Sequence, residues 1–351
     1  MKVKQFPSGI FIQDKEVIAI ELHAIPNCYV RILTYGAIIQ NFVVPNKFGD
    51  LQDIVLGFDN IEDYLSPSYL QDYPYLGTIV GRYANRIKNA SFNLDGRTYG
   101  LAKNNGEDTI HGGISGFDKK NWNIINVSES PEPSVTLGYL SVDGEEGYPG
   151  NLNIELTFSL SAERLTLSYN AKTDAPTPVN LTHHGYFNLN PQGGTVANHS
   201  HYMPASQYLE QDESWCTTGN IIQVNDSQHM CHDFRKPKLI GQHWNPEEGY
   251  DQSFVLDKNP GELALASKTY SDLSGITLSI YTTEPIAHFY TAKYLNLKNA
   301  KSGIDRGAFE AFCIETQHHP NAVNIPQFPS TILYPGENYQ QLTYYQFTTD
   351  R

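Results

Sequence analysis

The sequence predicts an all-β chain, a large antiparallel β-sandwich with few short helices. Three observations carry that expectation. Apolar and polar residues alternate with period two over long runs, the signature of half-buried strands. Turn-forming Gly, Asn, Asp and Pro clusters separate those runs. The 23 tyrosines and 16 phenylalanines suit pleated, half-buried surfaces.

In chain order, "IEDYLSPSYLQ" (61–71) is the one stretch with a helical turn or two. "SFNLDGRTYGL" (91–101) carries Asp95-Gly96 between short strand patterns, a strong hairpin signal. In "NLNIELTFSL" (151–160), Leu152, Ile154, Leu156, Phe158 and Leu160 alternate with polar residues. "SAER" then turns the chain, and Leu165, Leu167, Tyr169 and Ala171 resume the alternation, which predicts a second hairpin. "GITLSIYTT" (275–283) and "QLTYYQF" (341–347) read as further strands. Strand signals run end to end with no linker, repeat or low-complexity tract. Residues 1–351 are therefore read as one large β-domain of two packed sheets, with the long loops as the place for a site.

Asp and Glu number 38 against 24 Lys and Arg, a net charge of −14. Such a surface repels nucleic acid and anionic lipid, so neither is an expected partner, and a small neutral ligand is. Cys28, Cys216, Cys231 and Cys313 have no metal-type spacing. Isolated thiols read as buried and reduced, which fits a cytoplasmic protein. The N-terminal stretch has no apolar segment of a secretory leader, and no apolar run is long enough for a membrane helix.

Two adjacent histidines stand in "VNLTHHGYFNL" (179–189). Neighbours in a strand point to opposite faces, so His183 and His184 cannot share one task. The patterns "HSH" (199–201), "HMCH" (229–232) and "HH" (318–319) lack zinc-type spacing, and no metal is expected. Glu315 lies in "AFCIETQHHPNAVN" (311–324) after an apolar run, where desolvation makes a carboxylate a better base. It could equally be a structural partner of an arginine. In "GRYANRIKNA" (81–90), Arg82 and Arg86 offer fixed forks of donors for a ligand or for an ion pair. Asp251 in "GYDQSFVL" could accept from hydroxyls or cap a turn. His111 precedes two glycines, which allow close approach to a ligand or simply build a turn. Trp122, Tyr148 and Pro149 read as structural. No nucleophile elbow or phosphate loop occurs. Histidine, carboxylate, arginine, asparagine and aromatics on β-loops suit a hydroxyl-rich neutral ligand, a sugar.

"GRYANRI", "NNGEDTIHGG", "SVDGEEGYPGNL", "VNLTHHGYFNL", "DFRKPKLIG", "GYDQSFVL", "EPIAHFYTA" and "FCIETQHHPNAVN" occur in one order. In that order the chain resembles the aldose 1-epimerases, the galactose mutarotases, from about residue 30 to its end. The resemblance implies a β-sandwich with an open cleft that interconverts α and β anomers of free hexoses without a cofactor. It implies that His184 is the catalytic histidine, that His183 is not, and that Glu315 is the catalytic glutamate. Asn85, Arg86, His111 and Asp251 match sugar-binding positions, and Arg82 looks structural. Two departures stand out. Gln252-Ser253 follow Asp251 where the family often has His-Asn, and His288 precedes Phe289-Tyr290 where it often has Gln. His288 is expected among the sugar contacts, with Phe289 or another aromatic covering the apolar face of the ring.

Mutarotation breaks the bond between C1 and the ring oxygen, rotates about C1–C2 and recloses on the other face. On this resemblance Glu315 removes the C1 hydroxyl proton and a protonated His184, favoured by the nearby carboxylate, gives one to the ring oxygen. A sugar-binding module without catalysis, a hexose-6-phosphate 1-epimerase and a retaining glycoside hydrolase are the competing readings. The protein is expected to be a monomer or a weak homodimer.

Overall fold

The computed structural model describes residues 2–25, 28–225 and 230–350. Among them strands dominate, and the α-helix Pro67–Gln71, capped by the Ser66 side chain, is a single turn. It follows a 3-10 turn at Glu62–Leu65, so the expected helical turns are present.

Three larger sheets, antiparallel throughout, make the body. The first five strands, from Lys2–Ile12 to Leu51–Asp53, form a meander. A nine-stranded sheet contains both predicted segments 151–160 and 165–171, as Leu152–Leu160 and Arg164–Thr173. Its centre adds Tyr339–Thr349 and Ile276–Thr282, the other two predicted strands. The third sheet runs Thr217–Gln223, Gln207–Gln211, Asp251–Val255, Ile286–Tyr290, Cys313–Gln317. In the predicted hairpin at 91–101, Asp95 and Gly96 both take positive φ (50° and 76°), the backbone that a two-residue turn requires.

The alternation does the packing. Leu152, Ile154, Leu156, Phe158 and Leu160 are all fully buried while Asn153 and Glu155 are exposed. Their apolar face meets Ile20, Leu22 and Val30 of the first sheet and Phe254, Phe289 and Ile314 of the third in one continuous core. Truncating one such residue, Leu156→Ala for example, costs about 2–5 kcal/mol. Three of the four thiols, Cys28, Cys216 and Cys313, are buried and unpaired as expected; Cys231 is only half-buried, beside His232. No helix of the described residues is long and apolar enough to cross a membrane.

Several histidines belong to this core. His183 meets the Tyr345 hydroxyl at 2.9 Å, His201 meets Thr269 Oγ1 at 2.8 Å and stacks on Phe289, and His199 accepts the Leu189 N–H. Burial pushes His183 and His201 down to about 3, and His199 and His319 down to about 4. His229, in the His-Met-Cys-His run, lies outside the described residues. A lowered histidine pKa means that the unfolded chain binds more protons than the native one below about pH 6.5, so native stability declines as pH falls through that point. Asp118, raised by burial to about 6, and the raised His288 and His318 act in the opposite sense but are fewer. Melting temperature measured from pH 7 down toward about 4 should therefore drop steadily, with each lowered histidine contributing up to about 1.4 kcal/mol per unit. A flat profile there would contradict the neutral core histidines.

Candidate active site

The third sheet sets the floor of a cleft. Across three neighbouring strands, Ser253 pairs with His288 and His288 pairs with Glu315. Directly opposed residues share a face, so these three side chains stand in one row. His288 Nε2 lies 2.8 Å from Asp251 Oδ1, and its Nδ1 lies 2.9 Å from Ser253 Oγ. Glu315 sits in the middle of its strand rather than at the end, 1 % exposed, with Oε2 unpartnered.

His184 arrives from the segment after the two-residue strand Thr182–His183, which pairs with Ile79–Val80. Its main chain is pinned by Thr78 O, which accepts its N–H, and by the Gly77 N–H, which donates to its carbonyl. Three residues on, Phe187 and Phe312 exchange both backbone hydrogen bonds at 2.9 Å. Continued in the same antiparallel register, that pairing puts His184 opposite Glu315. His184 Nε2 is 3.5 Å from Glu315 Oε1. Gly185, next in the chain, is required by crowding, because a Cβ there would lie 2.6 Å from the His183 ring and 2.9 Å from Phe187. His183 turns inward to Tyr345, so the two histidines divide between core and cleft as the alternation requires.

Asn85, Arg86 and His111 come from a short ladder, Arg86–Ile87 with Thr109–Ile110. Asn85 and His111 both take positive φ (60° and 52°), conformations that cost energy in a side-chain-bearing residue. They hold each other: the His111 N–H donates to Asn85 O at 3.1 Å and the Asn85 N–H donates to His111 Nδ1 at 3.2 Å. Gly112, at φ 91°, must lack a side chain, since a Cβ would lie 2.0 Å from Gly81 O. With Nδ1 accepting, the neutral His111 ring carries its proton on Nε2. Arg86 is anchored by Asn105 Oδ1 at 3.0 Å.

Burial dominates the electrostatics. It lowers His184, a trend opposed by the Glu315 charge. The sequence reading expected Glu315 to favour the imidazolium; in the folded protein desolvation outweighs it. His111 falls well below the ordinary histidine range, through burial and then the neighbouring His184 and Arg86. His288 is raised: burial opposes its charge, but the Asp251 hydrogen bond and the Glu315 charge overcome burial. Asp251 is lowered, burial being outweighed by the His288 hydrogen bond.

Asn85, Arg86, His111, His184, Asp251, His288 and Glu315 all line one cleft of about 210 Å³. Phe289 does not. It is fully buried on the opposite face of its strand, stacked on Tyr250 and His201. The aromatic wall is instead Tyr73, Tyr75, Tyr186, Tyr290 and Tyr294. The signal for two of these was the alternation itself, since Tyr186 and Tyr290 each lie two residues after a cleft histidine. Tyr186 stacks on His184 with ring centroids 5.0 Å apart and its hydroxyl donates to Pro74 O. Tyr73 and Tyr75 come from a loop that no period marks. A larger hollow of about 730 Å³ has both its cations paired, Lys301 with Asp53 and Arg306 with Glu310. Among the described residues, His111, His184 and Glu315 bring one donor atom each within 4.8 Å of one another. That convergence could receive a cation, or the oxygens of one polyhydroxyl ligand.

The sequence model described as Aldose 1-epimerase matches residues 19–346. The chain belongs to the aldose 1-epimerase family. It is 40 % identical to the galactose mutarotase of Bos taurus over 323 residues, 91 % of each chain. It is 31 % identical to the aldose 1-epimerase of Escherichia coli K12 over 331 residues, 92 % of each. A solved GalM/aldose epimerase homologue from C. elegans superposes with a TM-score of 0.85 at 33 % identity, covering 95 % of this chain and 99 % of that one. Within this aldose 1-epimerase fold Arg82 has the structural role expected of it. Buried and outside the cleft, it donates to the carbonyls of Ser141, Pro149 and Gly150 and to Thr177 Oγ1. Arg82→Met should cost about 3 kcal/mol or more, because those acceptors lose their donor. Urea unfolding measures this; a variant as stable as the wild type would remove Arg82 as the clamp of that corner.

Proposed function

We propose that the protein is an aldose 1-epimerase that opens and recloses the ring of free hexoses, with Glu315 as base and His184 as acid. The approach of these two side chains to 3.5 Å carries the reading. The anomeric hydroxyl and the ring oxygen are bonded to the same carbon, so an acid and a base serving both must converge to within a few ångströms. Each also keeps an unpartnered atom, Glu315 Oε2 and His184 Nδ1. Glu315 takes the proton of the C1 hydroxyl as His184 gives one to the ring oxygen, and the C1–ring oxygen bond breaks to leave the open aldehyde. After rotation about C1–C2 the transfers run backward and the opposite anomer forms. Neither residue is consumed, and both proton transfers are accounted for.

The other groups bind. His111 Nε2–H and Arg86 donate to sugar oxygens, Asp251 accepts from hydroxyls, and the tyrosines cover C–H surface. The relatives' names support galactose as the first substrate to test, with glucose as a second aldose. A phosphorylated hexose fits less well, since three carboxylates, Asp72, Asp251 and Glu315, line the cleft and the His288 ring is already tied to Asp251. A glycosidase would need a free second carboxylate, and Asp251 is tied to His288. A cytoplasmic setting agrees with four unpaired cysteines.

Polarimetry on freshly dissolved α-galactose and α-glucose tests the assignment. Glu315→Gln and His184→Asn should bind sugar but lose at least about 10³-fold in kcat, each proton transfer being worth about 10²–10⁴. His183→Asn should lower stability and keep most turnover, and Arg86→Met should raise KM more than it lowers kcat. In Glu315→Gln the remaining histidine should also titrate at lower pH than in the wild type, since the charge that supports its protonation is gone. Robust turnover in Glu315→Gln would remove the base from the mechanism.

A further inference from the structure

We propose that His288 is a standing imidazolium, a positioning residue that fixes Asp251 as a hydroxyl acceptor and supplies the positive charge that tunes the proton affinity of His184. The inference rests on the acid–base reading above and adds to it a residue that itself transfers no proton.

The geometry is specific. His288 is 4 % exposed at its side chain and both ring nitrogens are engaged. Nε2 faces a carboxylate that can only accept, so Nε2 carries a proton. Nδ1 faces the Ser253 hydroxyl, which can take either role. Two carboxylates flank the ring, Asp251 hydrogen-bonded to it and Glu315 opposed to it in the neighbouring strand. Two negative charges on a buried floor favour a cation between them, and the direction of the His288 shift agrees. The other groups facing it are His184, His111 and Arg86 from the far walls. Burial keeps Tyr290, on its own strand, and Cys313, beside Glu315, neutral. The cleft then sets Asp251, Glu315 and, at its rim, Asp72 against His288 and Arg86. His184, on which a charged His288 bears unfavourably, becomes the group whose proton is held loosely enough to give away.

The structure also supplies the contrast. A glutamine at 288 can still donate to Asp251, but it carries no charge and cannot reach Asp251 and Ser253 with opposite ends of a rigid ring. Two measurements decide. Nitrogen-15 NMR of histidine side chains, with the His288 signals identified by their loss in His288→Gln, should find both ring nitrogens protonated through neutrality. In His288→Gln the His184 titration and the alkaline limb of the kcat/KM profile should move up together by about one pH unit, the scale of a lost unit charge in a partly buried site. A neutral tautomer of His288 at neutral pH would overturn the proposal. So would a variant whose rate falls equally at all pH values, which is the outcome for a plain structural cross-link. If His288→Gln fails to fold, Ser253→Ala identifies the ring by displacing its Nδ1 signal alone, and the wild-type protonation state still decides. If the wild-type protein anomerises no free sugar, the acid–base function fails, while the NMR state and the His184 titration continue to judge His288.

Discussion

The pairing of Phe187 with Phe312 is the constraint on which the site depends. Two backbone hydrogen bonds at 2.9 Å join the segment that carries His184 to the strand that carries Glu315. Val55 pairs with Phe187 along its other edge, so the segment is fixed from both sides. An antiparallel register admits no half-step, and a slip of one residue turns every side chain to the other face. His184 and Glu315 are thus located by main-chain geometry, and their side chains need only short reach. Gly185 leaves room for the His183 and Phe187 rings on either side of it, and the Tyr186 ring stacks on the His184 imidazole.

A second constraint is desolvation, and it sorts chemically identical rings into different tasks. His183 is held neutral in the core. His111 is neutral too, but the Asn85 N–H fixes its tautomer, so it is a donor toward the cleft. His184 is lowered by burial, against the support of the Glu315 charge. His288 lies between carboxylates and is raised. Burial and neighbours together thus shift the four rings differently, three downward to different degrees and His288 upward. The cost is borne by a large core in which three sheets share one apolar interior.

Much of this was legible in the chain. Period-two alternation located the strands at 151–160, 165–171, 275–283 and 341–347, and Asp95-Gly96 located a tight hairpin, because these signals are local. The division of His183 and His184 between two faces also followed from alternation. The same rule applied at 288–290 would have turned Phe289 away from the cleft once His288 was placed in it. Assigning Phe289 to the sugar face set aside the strand period in favour of its aromatic character. Tyr73 and Tyr75 were not legible, since their loop reaches the cleft only by packing against His111 and His184.

The sequence by itself determined the strand pattern, the hairpins, the acidic composition, and that the two adjacent histidines face opposite sides, because each is set by neighbours within a few residues. Tertiary structure alone decided that residues 131 positions apart, His184 and Glu315, stand 3.5 Å from each other. It also decided which way each pKa moves. Both follow from long-range sheet register and from the exclusion of water, and neither quantity exists until the sheets have closed over one another.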